Sequence, residues 1–178
     1  MQKTTRRGLA TRKLVFLAVL IAMQLVVGRF SFGTNFLKVS ATFLVSALIG
    51  YWYGPFYAAI AGGVSDLIGA ILLPMGSFNF GFTLVAIFSG FIFGWLLDQR
   101  HMPQPVWWRV LAVAGIINLG SNLFLNTVLL HYMYGANFWP LFLTRLPKEL
   151  IMIPIYYLGI YFLLKAVAKL HLEQRLNA

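Results

Sequence analysis

Arg145-Leu146-Pro147-Lys148-Glu149-Leu150 gathers two cations and a carboxylate at the edge of an apolar run, Ile151 to Leu164. A charge beside or inside a hydrocarbon-soluble segment costs a few kcal/mol, so it faces protein, water or a ligand. Proline has no backbone N–H, and the first helical turn leaves those groups unpaired, so Pro147 reads as a helix start. Glu149 then falls at the positive end of the helix dipole, with Arg145 just ahead of it. The chemistry open to such a turn is the holding of an anion. The plain alternative is that Arg145 and Lys148 anchor a helix among lipid headgroups.

Other residues could share a site with this turn. In Pro74-Met-Gly-Ser-Phe-Asn-Phe-Gly-Phe-Thr83, Phe78, Phe80 and Phe82 could present flat faces to a ring, while Gly76 and Gly81 permit tight backbone turns. An aromatic cluster at the membrane interface has the same composition. Asn118, Asn122 and Asn126 recur at intervals of four, with Ser121 and Thr127 nearby. That spacing lines one helix face with amides that must point away from lipid. Asn118 suits an interhelical hydrogen bond and Asn126 a ligand contact. Asp66 lies well inside an apolar stretch, where a carboxylate bonds a ligand's N–H groups or pairs with Arg29, Lys38 or Arg145. Ala18 and Ala22 make a small-xxx-small pair that lets another helix approach, within the bundle or from a partner.

These residues sit on a chain of 178 residues that is 60% hydrophobic and 10% charged, with mean hydropathy +0.81. A soluble domain carries about a quarter charged residues, so the composition is that of an integral membrane protein. Apolar segments near 9–29, 37–53, 56–73, 80–97, 106–130 and 147–170 are each near the length of a spanning helix. They lack the alternation of a membrane barrel. The expected fold is one all-α bundle of six transmembrane helices, a single domain over 1–178. Arg12 and Lys13 at the start of the first segment resemble the charged front of a signal peptide, but no small-x-small cleavage site follows, so the segment reads as a mature helix.

The net charge of +10 does not call for nucleic acid, because the basic residues cluster at segment ends. With the N-terminus inside, ten face the cytoplasm: Lys3, Arg6, Arg7, Arg12, Lys13, Arg100, Arg109, Lys165, Lys169 and Arg175. Four face outward: Arg29, Lys38, Arg145 and Lys148. This obeys the positive-inside rule and puts both termini in the cytoplasm. The four outward cations gather beside two connections. No cysteine is present, His101, His131 and His171 have no metal-ligand spacing, and there is no phosphate-binding glycine loop with Lys-Ser/Thr. No nucleophile and base stand at motif spacing.

Taken together, Ala18-x-x-x-Ala22, Gly-Pro55, Ser65-Asp66-Leu67-Ile68-Gly69, the Pro74–Thr83 loop, Leu-Asn126-Thr-Val-Leu and Arg145-Leu-Pro-Lys-Glu149 resemble the S components of energy-coupling factor (ECF) vitamin transporters, most of all their folate-specific branch. The resemblance spans nearly the whole chain. It implies a substrate-binding subunit of a bacterial cytoplasmic membrane, without cofactor or enzymatic activity of its own. The coupling subunit EcfT and the ATPases EcfA and EcfA' would complete an importer, and Ala18 and Ala22 would mark the face that docks on EcfT. A folate-like ligand suits the residues: Arg29, Lys38, Arg145 and Lys148 for its carboxylates, Phe78, Phe80 and Phe82 for its rings, and Asn79, Asn126 or Asp66 for the pterin edge, with Gly81 giving room. Riboflavin, thiamine, pantothenate or a queuosine precursor are the alternatives within the class. A lipid-modifying enzyme or a purely structural subunit are the alternatives outside it.

Overall fold

The computed structural model describes residues 2–30, 32–33, 38–72, 79–101 and 104–169, with backbone only over 2–10 and 32–39. Five helical stretches are long and apolar enough to cross a membrane: Thr11–Arg29, Thr42–Leu72, Phe80–Leu97, Trp107–Tyr134 and Phe138–Lys169. The first is the apolar part of α1 (Gln2–Arg29), which ends in a turn where the Phe30 N–H donates to the Val27 carbonyl at 3.1 Å. A small antiparallel ribbon follows, β1 (Phe32–Gly33) against β2 (Lys38–Val39), with Gly33 opposite Lys38. Lys38 therefore belongs to a ribbon, and the next helix begins at Thr42 instead of residue 37.

The stretch α2 (Thr42–Leu72) is broken at Gly54, whose φ of 76° and ψ of −173° are not helical. Only glycine holds such a conformation without strain, and Pro55 just after it cannot donate a backbone hydrogen bond. The sequence punctuation Gly54-Pro55 is thus a real break. Two hydrogen bonds and one tight approach hold it. Tyr53 Oη donates to the Lys13 carbonyl at 2.7 Å, Gln99 N–H donates to the Tyr51 carbonyl at 3.0 Å, and a Cβ on Gly54 would lie 2.9 Å from Asp98 Oδ2. Gly54→Ala is expected to cost about 2 kcal/mol through backbone strain alone. A lower melting temperature of the detergent-purified variant checks it.

Helix α3 (Phe80–Leu97) lies antiparallel on the second half of α2 at backbone contact distance. A Cβ on Gly62 would sit 2.5 Å from the Ala86 carbonyl oxygen, one on Gly90 would meet the Ala58 backbone, and one on Gly94 the backbone of Gly54 and Pro55. Two small-residue stripes at intervals of four, Gly54/Ala58/Gly62 and Ala86/Gly90/Gly94, therefore face each other. In lipid, where apolar surface gains nothing from leaving its solvent, such close packing is what holds helices together.

The next rod is continuous from Trp107 to Tyr134: α4 (Trp107–Gly115), a π-helical segment (Ile116–Leu125) and α5 (Asn126–Tyr134). It ends at Gly135, which takes the left-handed φ of 62° that stops helices. The last helix, α6, spans Phe138–Lys169. It starts nine residues before Pro147, so Pro147 is an interior proline and Glu149 lies beyond the first turn, where the helix dipole has faded. The apolarity of 147–170 marked the helix but could not mark its beginning, because Phe138, Trp139, Leu141 and Phe142 already continue it.

The main core joins Phe43, Ala47 and Tyr51 of α2, Ile92, Phe93 and Leu97 of α3, Val110, Val113, Ala114 and Ile117 of the rod, and Met152, Tyr156, Ile160 and Leu164 of α6. Helix α1 stands at the periphery, burying Leu17 and Leu20 against Val45, Ile49, Ala58 and Ala61 of α2. Gln24 Nε2 donates to Ser46 Oγ at 3.2 Å, which pairs two polar groups that lipid would not satisfy.

Candidate ligand site

At one end of the bundle, contacts run in a chain from α2 through α3 and α5 to α6. Thr83 Oγ1 donates to Asp66 Oδ2 at 2.7 Å, a Cβ on Gly81 would meet the side chain of Leu129, and Arg145 Nη1 lies 3.5 Å from Thr127 Oγ1. Most of the sequence-derived candidates belong to these elements. They are not all presented alike.

Asp66 is partly buried and takes its hydrogen bond from Thr83; among the described residues it forms no ion pair with Arg29 or Arg145. Asn79 caps α3, its Oδ1 accepting the Gly81 N–H at 2.7 Å. Phe80 is 68% exposed while Phe82 is half-buried. Two positions apart in a helix means about 200° of rotation, so these rings point to different faces instead of forming one stacking surface. Phe78 lies outside the described residues, as do the side chain of Lys38 and the alternative turn glycine Gly76. Arg29 is exposed at the end of α1, and Asn126 is half-buried where the π segment passes into α5.

The polar residues that do converge lie between the rod and α6. Arg145 is 6% exposed and Glu149 0%, one helical turn apart on the same face. Lys148 Nζ donates to Glu149 Oε1 at 2.8 Å. Opposite them the rod presents buried Asn118, Ser121 and Thr127, and Asn122 lies beside Tyr156 of α6. Asn118 Nδ2 donates back to the Ala114 carbonyl of its own rod at 2.7 Å, so this bond is not the interhelical one its spacing suggested. The wider turn of the π segment changes which neighbours its residues meet, and such segments concentrate at functional sites.

Four atoms of this region are buried without a hydrogen-bond partner among the described residues: Asn118 Oδ1, Ser121 Oγ, Arg145 Nε and Glu149 Oε2. Leaving a polar group unpaired in an apolar interior costs about 1–3 kcal/mol, and more when it is charged. Arg145 and Glu149 are therefore the residues of this interior with polar capacity left over for a further partner. Sequence reading found both cations but treated Glu149 only as a partner of the helix dipole. It missed Thr127 as the group facing Arg145, and Tyr156 altogether. The hydroxyl and phenol types carry no signal until the fold sets them opposite a charge.

Residues 12–164 match the family described as "ECF transporter, substrate-specific component". The chain belongs to that family. The folate transporter FolT of Leuconostoc mesenteroides is 40% identical over 173 residues, covering 92% of each chain. The FolT of Clostridium novyi is 34% identical, covering 91% of this chain and 93% of its relative. Among solved structures, a crystal structure of FolT bound with folic acid superposes with a TM-score of 0.81 at 34% identity, covering 88% of this chain and 94% of that one. As a substrate-specific component, the chain is a membrane protein whose polar interior at one end of the bundle is its candidate ligand site. The exposed side chains of Ala18 and Ala22 leave one face of α1 uncovered by the other described residues.

Proposed function

We propose that this chain is the folate-binding S component of an ECF-type, ATP-driven importer in a bacterial cytoplasmic membrane. It captures folate at the outer face and delivers it with EcfT, EcfA and EcfA', which carry out coupling and ATP hydrolysis. The observation that carries this reading is the cluster of buried Arg145 and Glu149 with half-buried Lys148, in a bundle that overlays a complex of FolT with folic acid. Arg29, exposed at the end of α1, supplies further positive charge for an anionic ligand, and Lys38 is kept as a second such cation on the sequence reading alone. The uncovered face of α1 around Ala18 and Ala22 is the docking surface for EcfT.

Six spans support the reading better than five. Phe43 stacks on Tyr156 at 3.9 Å and packs on Gly159, while Tyr51 and Gly54 reach the C-terminal end of α3. The second half of α2 then runs from that end back to the Asp66–Thr83 contact. The two halves leave Gly54 in the same direction, so the break is a reversal, and we count the halves as two membrane segments, the first of them short. Both termini then share the cytoplasmic side with ten of the fourteen basic residues.

Purification in mild detergent, followed by mass spectrometry of the extracted ligand, tests the function. A folate is the expected species, together with saturable binding of added folic acid. A different vitamin would overturn the substrate, and no extractable or added ligand would overturn the binding role.

A further inference from the structure

We propose that the end of the bundle opposite the candidate ligand site recruits anionic phospholipids, with Arg109 on α4 and Lys165 on α6 as headgroup contacts. The starting point is an imbalance of charge. Tyr53 Oη donates to the Lys13 carbonyl, Gln99 N–H donates to the Tyr51 carbonyl, and Leu97, Val110 and Leu164 share one core. Arg12, Lys13, Arg100, Arg109, Lys165 and Lys169 therefore all lie at this end. Among the described residues one carboxylate accompanies them, that of Asp98, which is buried. Its Oδ1 accepts the Arg100 backbone N–H at 2.9 Å, and its Oδ2 lies 3.9 Å from His101 Nδ1. It forms an ion pair with none of the six cations, so their counterions come from outside the described residues.

Aromatic rings place two of these cations. The Arg109 guanidinium lies 5.3 Å from the centre of the Trp108 ring, and Lys165 Nζ lies 5.7 Å from that of Tyr161. A ring face attracts a cation without cancelling its charge, so both keep donors for an anion. The indoles also set a depth. Trp107 is 61% exposed and Trp108 50%, at the start of α4, and Trp95 is 60% exposed near the end of α3. Exposed tryptophan settles where headgroups meet acyl chains, which is where lipid phosphates lie. The distribution of the cations favours lipid over a protein partner. They stand on or just beyond α1, α3, α4 and α6, and α1 packs on α2 while α4 packs on α6. A leaflet reaches every side of a bundle, whereas a protein covers one.

The test offers the purified full chain an equimolar mixture of phosphatidylglycerol and phosphatidylcholine with identical acyl chains, and counts bound lipid by native mass spectrometry. Wild type is expected to retain phosphatidylglycerol about tenfold over phosphatidylcholine, since each cation near a headgroup adds to the attraction. Arg109→Gln combined with Lys165→Gln is expected to lower the preference to about threefold or less. Arg29→Gln, which removes a charge at the other end, is expected to leave it in place, because exposed charges beyond a Debye length are screened. Four results would overturn the inference. They are equal retention of the two lipids, a double variant that keeps the full preference, a comparable loss in Arg29→Gln, which would make net charge the cause, and displacement of the lipid by inorganic phosphate, which would make this a site for free anions. The wild-type comparison stands even if the double variant does not fold.

Discussion

Gly90→Leu is expected to eliminate folded protein. A Cβ at Gly90 would overlap the Ala58 carbonyl, and backbone atoms, unlike the tip of a flexible side chain, cannot step aside. A leucine forces α2 and α3 apart, which also opens the Gly62–Ala86 and Gly94–Pro55 packing and the Asp66–Thr83 hydrogen bond. Overpacking alone costs about 1–3 kcal/mol, and separating the two helices along their length brings the total near the whole stability of about 5–15 kcal/mol. Fluorescence-detected size exclusion should show loss of the monodisperse peak. Gly115→Ala is the matched control: nothing lies within 4 Å of its added Cβ, and alanine favours helix by about 1 kcal/mol. A sharp peak from Gly90→Leu would mean that the two helices are not held at backbone contact.

Arg145→Ala is expected to weaken folic acid binding about a hundredfold, or about 2.8 kcal/mol, while leaving a folded protein. Arg145 is 6% exposed, its contact to Thr127 Oγ1 is long at 3.5 Å, and its Nε has no partner among the described residues. Most of what the guanidinium can offer is therefore unspent among the described residues. Its removal also leaves Lys148, among the described residues, as the one cation beside Glu149, lowering the local charge from +1 to 0. Arg145→Lys keeps the charge but not the planar set of donors, so an intermediate affinity is expected. Unchanged affinity in folded Arg145→Ala would remove this residue from the site.

Helix packing and site formation explain why some features were legible early. Apolar length marked every spanning stretch, because hydrocarbon admits only segments whose backbone bonds close internally. Gly54-Pro55 marked the break for an equally local reason, a backbone conformation that other residues avoid. The start of α6 was not legible, because Phe138–Phe142 is as apolar as the segment beyond Pro147 and a single proline does not end a helix held by its neighbours. The stripes Gly54/Ala58/Gly62 and Ala86/Gly90/Gly94 have the same spacing of four as Ala18 and Ala22. Spacing alone does not tell an inward stripe from an outward one: Ala18 and Ala22 face outward, while the glycine stripes pack the bundle.

By itself, then, the order of residues determined the membrane class, the segments and the cluster of charges that hydrocarbon would not tolerate. Those are consequences of solvation, which acts on each segment without regard to its neighbours. Which charges meet which partners was decided by the tertiary structure alone. Whether Asp66 answers to Thr83 or to an arginine, and whether Glu149 keeps an oxygen free, depends on helix rotation and register. Rotation and register follow from backbone contacts such as Gly90 on Ala58, between residues 32 positions apart in the chain. No local pattern encodes that distance.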